Sequence, residues 1–273
     1  MKTSGLPPKP WTVPSVALTL LFLVLGAVTM AGFLLLDTRG VDVAGAFAKT
    51  GRDLVTLFLR PAAEHFTVLE ALQGVALTLG LGLLTTVFGA VPALLGGLLA
   101  ARNLGPAWLS ASLRGFVSLI RAVPTVLWVL IFAVGAGLGS VAAVVGMTFH
   151  SFGYLLKAYS EAFEEVDHGT IEALRASGAS WSAVIAQAVL PGATPALVSW
   201  TFLRFEINFT TAVAMGAAAG AGGIGFDLFM AAGYYFNLRE VGTIAWLILI
   251  VAVGLEYGAT RLHQASRAPG RKP

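Results

Sequence analysis

The sequence predicts an all-α polytopic membrane protein with about six transmembrane helices, and three observations carry that expectation. Hydrophobic residues make up 57% of the 273 and charged residues only 11%, against about a quarter in ordinary soluble domains. Mean hydropathy is +0.82. The apolar residues also fall into long runs, each close to the length that crosses a hydrocarbon layer of about 30 Å. A soluble globule cannot cover its surface with so few charges, so a soluble enzyme, a disordered tail and a nucleic-acid-binding domain are excluded. The net charge of +3 is small, and the basic residues scatter at segment ends instead of forming a stripe for nucleic acid. With no cysteine, disulfides, thiolate nucleophiles and cysteine zinc sites are ruled out. His65, His150, His168 and His263 lie far apart and in no metal-ligand spacing.

Taken in order, residues 1–13 form a polar tail with Lys2 and Lys9, expected in the cytoplasm. Residues 14–36 are an apolar run long enough to span. A secretory signal has an apolar region of only about 7–15 residues and a small-residue cleavage site; none precedes Asp37, so the run reads as a permanent first span. Residues 37–68 read as an external loop. There Asp37, Arg39, Asp42, Lys49, Arg52 and Asp53 are interleaved with Leu54, Leu57 and Phe58, the pattern of an amphipathic helix at a membrane surface.

Residues 69–262 hold five more spans, at about 69–101, 113–136, 138–158, 196–219 and 241–262. Pro92 predicts a kinked or tilted first member of that set. Abundant Gly and Ala predict close helix contacts, because small side chains let backbones approach where no hydrophobic effect drives association. Residues 263–273 form a basic tail. With the N-terminus inside, Lys2, Lys9, Arg102, Arg114, Lys157, Arg175, Arg261, Arg267, Arg271 and Lys272 fall in the cytoplasm. Arg39, Lys49, Arg52, Arg60 and Arg239 fall outside. That bias favours both termini inside.

This topology places residues 159–195 in one long cytoplasmic loop. It opens on Glu161, Glu164, Glu165 and Asp167. A short helix is expected to be capped near Asp167 or Thr170 and stopped at Gly178, where glycine takes the left-handed conformation cheaply. A second is expected to start at Ser180 and end near Pro191. Ile171 and Leu174 share one face of the first helix, and Val184 and Ala188 one face of the second. The loop therefore reads either as a solvated connector or as a knob that docks another protein through an apolar edge.

The spacing in this loop resembles the signature of permease subunits of ABC importers: E-A-A, three residues, G, nine residues, I-x-L-P. Glu172, Ala173, Gly178, Leu190 and Pro191 match, while Leu174 stands at the third alanine and Ala188 at the isoleucine. The resemblance implies a type I importer permease fold and a loop helix seated on a separate ATP-hydrolysing subunit. Consistent with that, the chain holds no G-x-x-x-x-G-K-[ST] phosphate loop. No cofactor is expected in this chain; ATP and Mg belong to the partner.

From about Leu69 onward the chain is similar to the phosphonate-type branch. The marks are Arg121-Ala122-Val123-Pro124, then His150-Ser151 with Lys157 and Glu161, then Arg204-Phe205-Glu206-Ile207-Asn208, and the glycine-rich segment 220–225. The resemblance implies carriage of a phosphonate, phosphite or related phosphorus oxyanion across a bacterial inner membrane. Arg-x-x-Pro and the glycine segment are shared with methionine and quaternary-amine importers, which form the alternative. An ion channel or a membrane enzyme is a further class; isolated polar residues in the spans argue against the enzyme.

An arginine inside a span costs about 2.5–3.5 kcal/mol on insertion scales, so Arg204 should face protein or water. Asn208 lies four residues on and shares its face; Glu206 points elsewhere. The set reads as an oxyanion pathway or gate, or as a polar clamp between helices. His150 reads as a packing residue. The segment 220–225 also fits G-x-G-x-x-G, but lies between two spans. A bend that lets helices approach or hinge, with Gly222 and Gly223 at an external gate, is preferred to a dinucleotide site. The expected assembly is a homodimer of this chain in the lipid bilayer, two ATPase subunits and an external solute-binding protein, working by alternating access.

Overall fold

The computed structural model describes residues 13–37, 40 and 42–267, and every regular element among them is helical. The expectations for Lys2, Lys9, Arg39, Arg271 and Lys272 lie outside those residues. The chain divides into two compact units, residues 1–51 and 52–273.

The first unit holds α1 (Val13–Leu35), 23 residues without a polar stripe, as suits a helix in apolar surroundings on all sides. It also holds the start of α2 (Val43–Leu59), the amphipathic helix expected after the first span. Asp42 Oδ1 accepts from the Gly45 amide at 3.1 Å and caps α2.

The second unit begins within α2 and continues with α3 (Val68–Ala100). Thr67 and Glu70 close a reciprocal capping box at its start: the Glu70 amide donates to Thr67 Oγ1 and the Thr67 amide to Glu70 Oε2. Its 33 residues would reach about 50 Å at 1.5 Å per residue, more than one bilayer core requires. Then follow α4 (Ala107–Ala122), α5 (Thr125–Ala136), α6 (Ser140–Glu164), α7 (His168–Ala176), α8 (Trp181–Val184), α9 (Leu190–Ala218), α10 (Ile224–Phe229) and α11 (Leu238–Arg267).

The centre of this unit is the trio α3, α6 and α9, each against the other two. One face of α3 carries Gly82, Thr86, Gly89, Ala93 and Gly97, all buried. A Cβ on Gly82 would lie 3.0 Å from the Phe209 amide nitrogen, and one on Gly89 2.9 Å from Ser151 Cβ. Small residues thus bring α9 and α6 against α3 at backbone distance, as the glycine and alanine content predicted.

Several expected boundaries are corrected. The 113–136 span is two helices meeting at 86°. Pro124 forces Val123 into an extended conformation (φ −87°, ψ 123°) and starts α5. Among the described residues five helices are long and apolar enough to cross a membrane, or six if the bent pair counts as one span. α6 runs on to Glu164 and α11 to Arg267, past the expected span ends at 158 and 262.

The second loop helix does not end near Pro191. α8 passes through a π turn (Ile185–Val189) directly into α9, so the helical stretch Trp181–Ala218 runs 38 residues. The widened turn, in which the Leu190 amide donates to the Ile185 carbonyl, shifts the ladder just ahead of the proline. Pro191 then stands in the first turn of the next regular stretch, a position where a residue without an N–H is tolerated.

Candidate functional site

Two places in the second unit concentrate the residues singled out by sequence. The first is the loop helix α7. Asp167 Oδ2 accepts from the Thr170 amide and hydroxyl, both at 2.8 Å. The Thr170 hydroxyl, and then its amide, hold the Asp167 carboxyl below the usual carboxylate range. At the other end Gly178 takes φ +82°. Its amide donates to Arg175 O and the next amide, Ala179, to Leu174 O, each at 3.0 Å. That pairing is a Schellman closure, and only glycine enters it without steric cost.

The apolar edge of the loop is not presented to a partner. Ile171 (0% exposed), Val184 and Ala188 are buried in a core with Leu98, Leu104 and Phe163. A nine-residue helix is not stable alone, and burying that edge within the chain is what holds it. Polar bonds add to the anchorage. Arg175 Nη2 donates to Asn103 O, Trp181 Nε1 to Leu104 O and Asn103 Nδ2 to Phe163 O, each at 2.9 Å. Glu164 accepts from the Arg102 amide and from Arg114 Nη2. The loop is thereby fixed to the α3–α4 turn, and what faces outward is polar or small: Glu172, Ala173, Arg175 and Gly178. Leu174 and Leu190 each pack on the rim of the same core, and Pro191 is exposed.

The second place is a buried polar node where α3, α6 and α9 meet. Arg204 is 3% exposed and Asn208 and Ser151 are fully enclosed. Arg204 Nε donates to Ser151 Oγ at 3.1 Å, and Ser151 donates to Asn208 Oδ1 at 2.9 Å. Asn208 Nδ2 donates to Thr86 Oγ1 at 2.9 Å, and Thr86 donates to Gly82 O at 2.7 Å. Each hydroxyl accepts one bond and gives one, so the chain has a single direction from guanidinium to backbone. The Arg204 guanidinium also lies 5.2 Å from the centre of the Tyr154 ring, a cation–π contact. Among the described residues the two Nη groups make no hydrogen bond.

The structure therefore unites Arg204 and Asn208, as their spacing implied, and leaves Glu206, half-buried, on a different face of α9. Gly222 (φ +80°) and Gly223 (φ +71°) belong to a bend between α9 and α10. A Cβ on Gly223 would strike the Thr78 hydroxyl of α3, and one on Gly222 would touch Leu77. Ala218, the last residue of α9, is ten positions beyond Asn208, or about 15 Å along the helix, so these glycines stand apart from the node. No strand precedes them among the described residues. Sequence reasoning missed Thr86 and Tyr154 and underrated Ser151. The available signal was small polar residues on glycine-flanked faces of apolar helices. His150 Nδ1 is enclosed without a partner among the described residues.

Residues 93–263 match the family described as binding-protein-dependent transport system inner membrane component. The chain is 32% identical over 205 residues to the phosphate-import permease protein PhnE of Mycolicibacterium smegmatis, covering 74% of this chain and 38% of that protein. It thus spans well under half the length of that relative. It is 35% identical over 189 residues to the phosphite transport system permease protein PtxC of Stutzerimonas stutzeri, 68% of each chain. Among solved structures it is similar to an inward-facing MetNI methionine ABC transporter, with TM-score 0.67 and 25% identity, covering 75% of this chain and 99% of that one.

Proposed function

This chain belongs to the family of binding-protein-dependent transport system inner membrane components, and on that premise we propose that it is the permease subunit of an ATP-driven importer of a phosphorus oxyanion. The observation that carries the substrate is Arg204. It is a cation enclosed between three helices with Nε tied to Ser151 and both Nη groups uncommitted among the described residues. A planar guanidinium offers paired N–H donors that match a phosphorus oxyanion. Glu206 and the Gly222–Gly223 bend complete the pathway in this reading.

The chain itself is a multi-pass membrane protein without a catalytic role. Two ATPase subunits, binding ATP and Mg, seat on the outward faces of two α7 helices, at Glu172, Ala173 and Gly178, with Leu174 at the rim of the contact. Two copies of this chain form the pathway, and an external binding protein delivers the substrate. Both termini and α7 lie in the cytoplasm. The continuity of α8, the π turn and α9 supplies the lever. Arg204 stands 23 residues beyond Trp181 on one helical stretch, about 35 Å along its axis. Leu190 and Pro191 sit at its elbow, so displacement of the loop tilts the element that holds the cation.

A methionine importer is the second reading, favoured by the match to the MetNI fold. Growth separates the two. A strain dependent on this chain should use phosphite or methylphosphonate as sole phosphorus source and show no dependence for methionine. Arg204→Ala should lower that uptake at least tenfold while the ATPase still co-purifies. Unchanged uptake would make Arg204 a helix clamp only.

A further inference from the structure

A cavity of about 260 Å³ lies between α4 and α6, and neither Arg204 nor its hydrogen-bond partners line it. Its lining is Arg114, Val117, Ser118 and Arg121 from α4 with Leu156 and Lys157 from α6. The α4 members are spaced by three and four residues and so share one face. The floor is dry: Val117 is 2% exposed and Leu156 fully enclosed. The walls stand close because Gly153 faces α4. A Cβ there would lie 3.1 Å from Ile120 Cγ2 and 3.2 Å from Arg121 Cγ. The Arg121 stem is thereby laid against α6.

The charges around this cavity do not cancel. Arg114 is spent on Glu164 and on the Ala100 carbonyl. Lys157 faces Glu161 at 3.5 Å with both side chains about half exposed, a pairing worth little. Arg121 meets no carboxylate among the described residues. Glu161 and Glu164 are the only carboxylates paired with lining groups among those residues, so three cations face two. Cations held over an apolar floor at the edge of a membrane are poorly screened, and an anion in the cavity relieves them.

We infer that this cavity is a binding site for a phosphate-class oxyanion, with Arg121 and Lys157 as its principal contacts and Arg114 as a fixed wall. Through Glu164, which also accepts from the Arg102 amide, the site adjoins the α3–α4 turn that anchors α7. Its lining shares no residue with the Arg204 node, and the inference is independent of the import reading. Two sources supply this chemistry at the end of a membrane bundle: a free phosphorus oxyanion or the headgroup of an anionic phospholipid.

The test uses the full-length chain purified in neutral detergent without any ATPase, in the Arg204→Ala background so that the central node is silent. Calorimetric titration with inorganic phosphate, phosphite and methylphosphonate, against sodium chloride at equal ionic strength, should show saturable binding. Arg121→Gln should weaken it at least tenfold. Lys157→Gln, half exposed and safe for folding, should weaken it about threefold or more. In a second arm the chain is placed in nanodiscs of phosphatidylcholine with or without phosphatidylglycerol. A free-oxyanion site binds phosphate equally in both. A headgroup site loses phosphate binding when phosphatidylglycerol is present, and retains that lipid in native mass spectra unless Arg121 is changed. Saturable binding of neither phosphate nor phosphatidylglycerol overturns the inference, as does binding that both variants leave intact. Because no transport is measured, a negative result leaves the importer standing. A chain that binds phosphate yet supports no growth on phosphorus compounds refutes the importer alone.

Discussion

Replacing Ser151 by alanine removes one oxygen from the middle of the polar node and almost no volume, so the response measures hydrogen bonding and not cavity formation. The hydroxyl makes two bonds, to Asn208 Oδ1 at 2.9 Å and from Arg204 Nε at 3.1 Å. Side-chain hydrogen bonds between membrane helices are worth about 0.6 kcal/mol on average and about 1.7 kcal/mol at most. Two average bonds set a floor near 1.2 kcal/mol. The arginine bond is charge-assisted and leaves an enclosed donor unpaired, for which about 1.5–3 kcal/mol applies. The expected loss for Ser151→Ala is therefore about 1–4 kcal/mol. Reversible unfolding of the full chain in mixed micelles titrated with dodecyl sulfate, followed by far-ultraviolet circular dichroism, reads it. Asn208→Ala and the double variant complete a cycle whose coupling isolates the shared bond. A loss below about 0.5 kcal/mol, the range of ordinary surface changes, or a cycle without coupling, would refute the node as a stabilising network. Uptake in the same variant separates its roles. Lost uptake at modest destabilisation marks Ser151 as positioning Arg204, whereas retained uptake marks a clamp.

Gly89→Ala should destabilise by about 1–3 kcal/mol through overpacking, because its Cβ meets Ser151 at 2.9 Å; Gly80→Ala in the same helix should be neutral, since nothing lies within 4 Å of that site. Gly178→Val places a β-branched residue at φ +82°, which should fray the end of α7 and lower substrate transported per ATP hydrolysed, with membrane insertion intact on immunoblots. The Asp167 carboxyl is held below its unfolded range by Thr170, so its contribution is present above about pH 4 and lost as pH falls through the depressed folded value. Hydrogen exchange over residues 165–178, corrected for intrinsic rate, should show α7 protection falling only below about pH 4, and Asp167→Ala should abolish that step.

What could be read from the residues alone was local. Asp167 and Thr170 are three apart, and Gly178 follows directly on the helix it ends, so the start and stop of α7 follow from capping chemistry within one turn. Span lengths follow in the same way from runs of apolar residues, because the bilayer sets them. What was not legible depends on partners far along the chain. Ser151 and Asn208 are 57 residues apart, and Asn208 and Thr86 are 122; only the small-residue face of α3 brings them to bonding distance.

The same division explains the corrections. Pro191 looks like a helix stop from its neighbours, but a π turn precedes it and the helical stretch continues from Trp181 to Ala218. Ile171, Val184 and Ala188 look like an edge for another protein, because periodicity shows that a face is apolar without showing what covers it. Sequence determined that this chain lives in a membrane, how α7 is capped and which loop carries the family's mark. Tertiary structure decided which apolar face is spent internally, where α4 turns into α5, and that Arg204 is enclosed where three helices meet. Hydrophobic pattern and capping act over a few residues, whereas burial and hydrogen-bond satisfaction are settled only when distant helices meet.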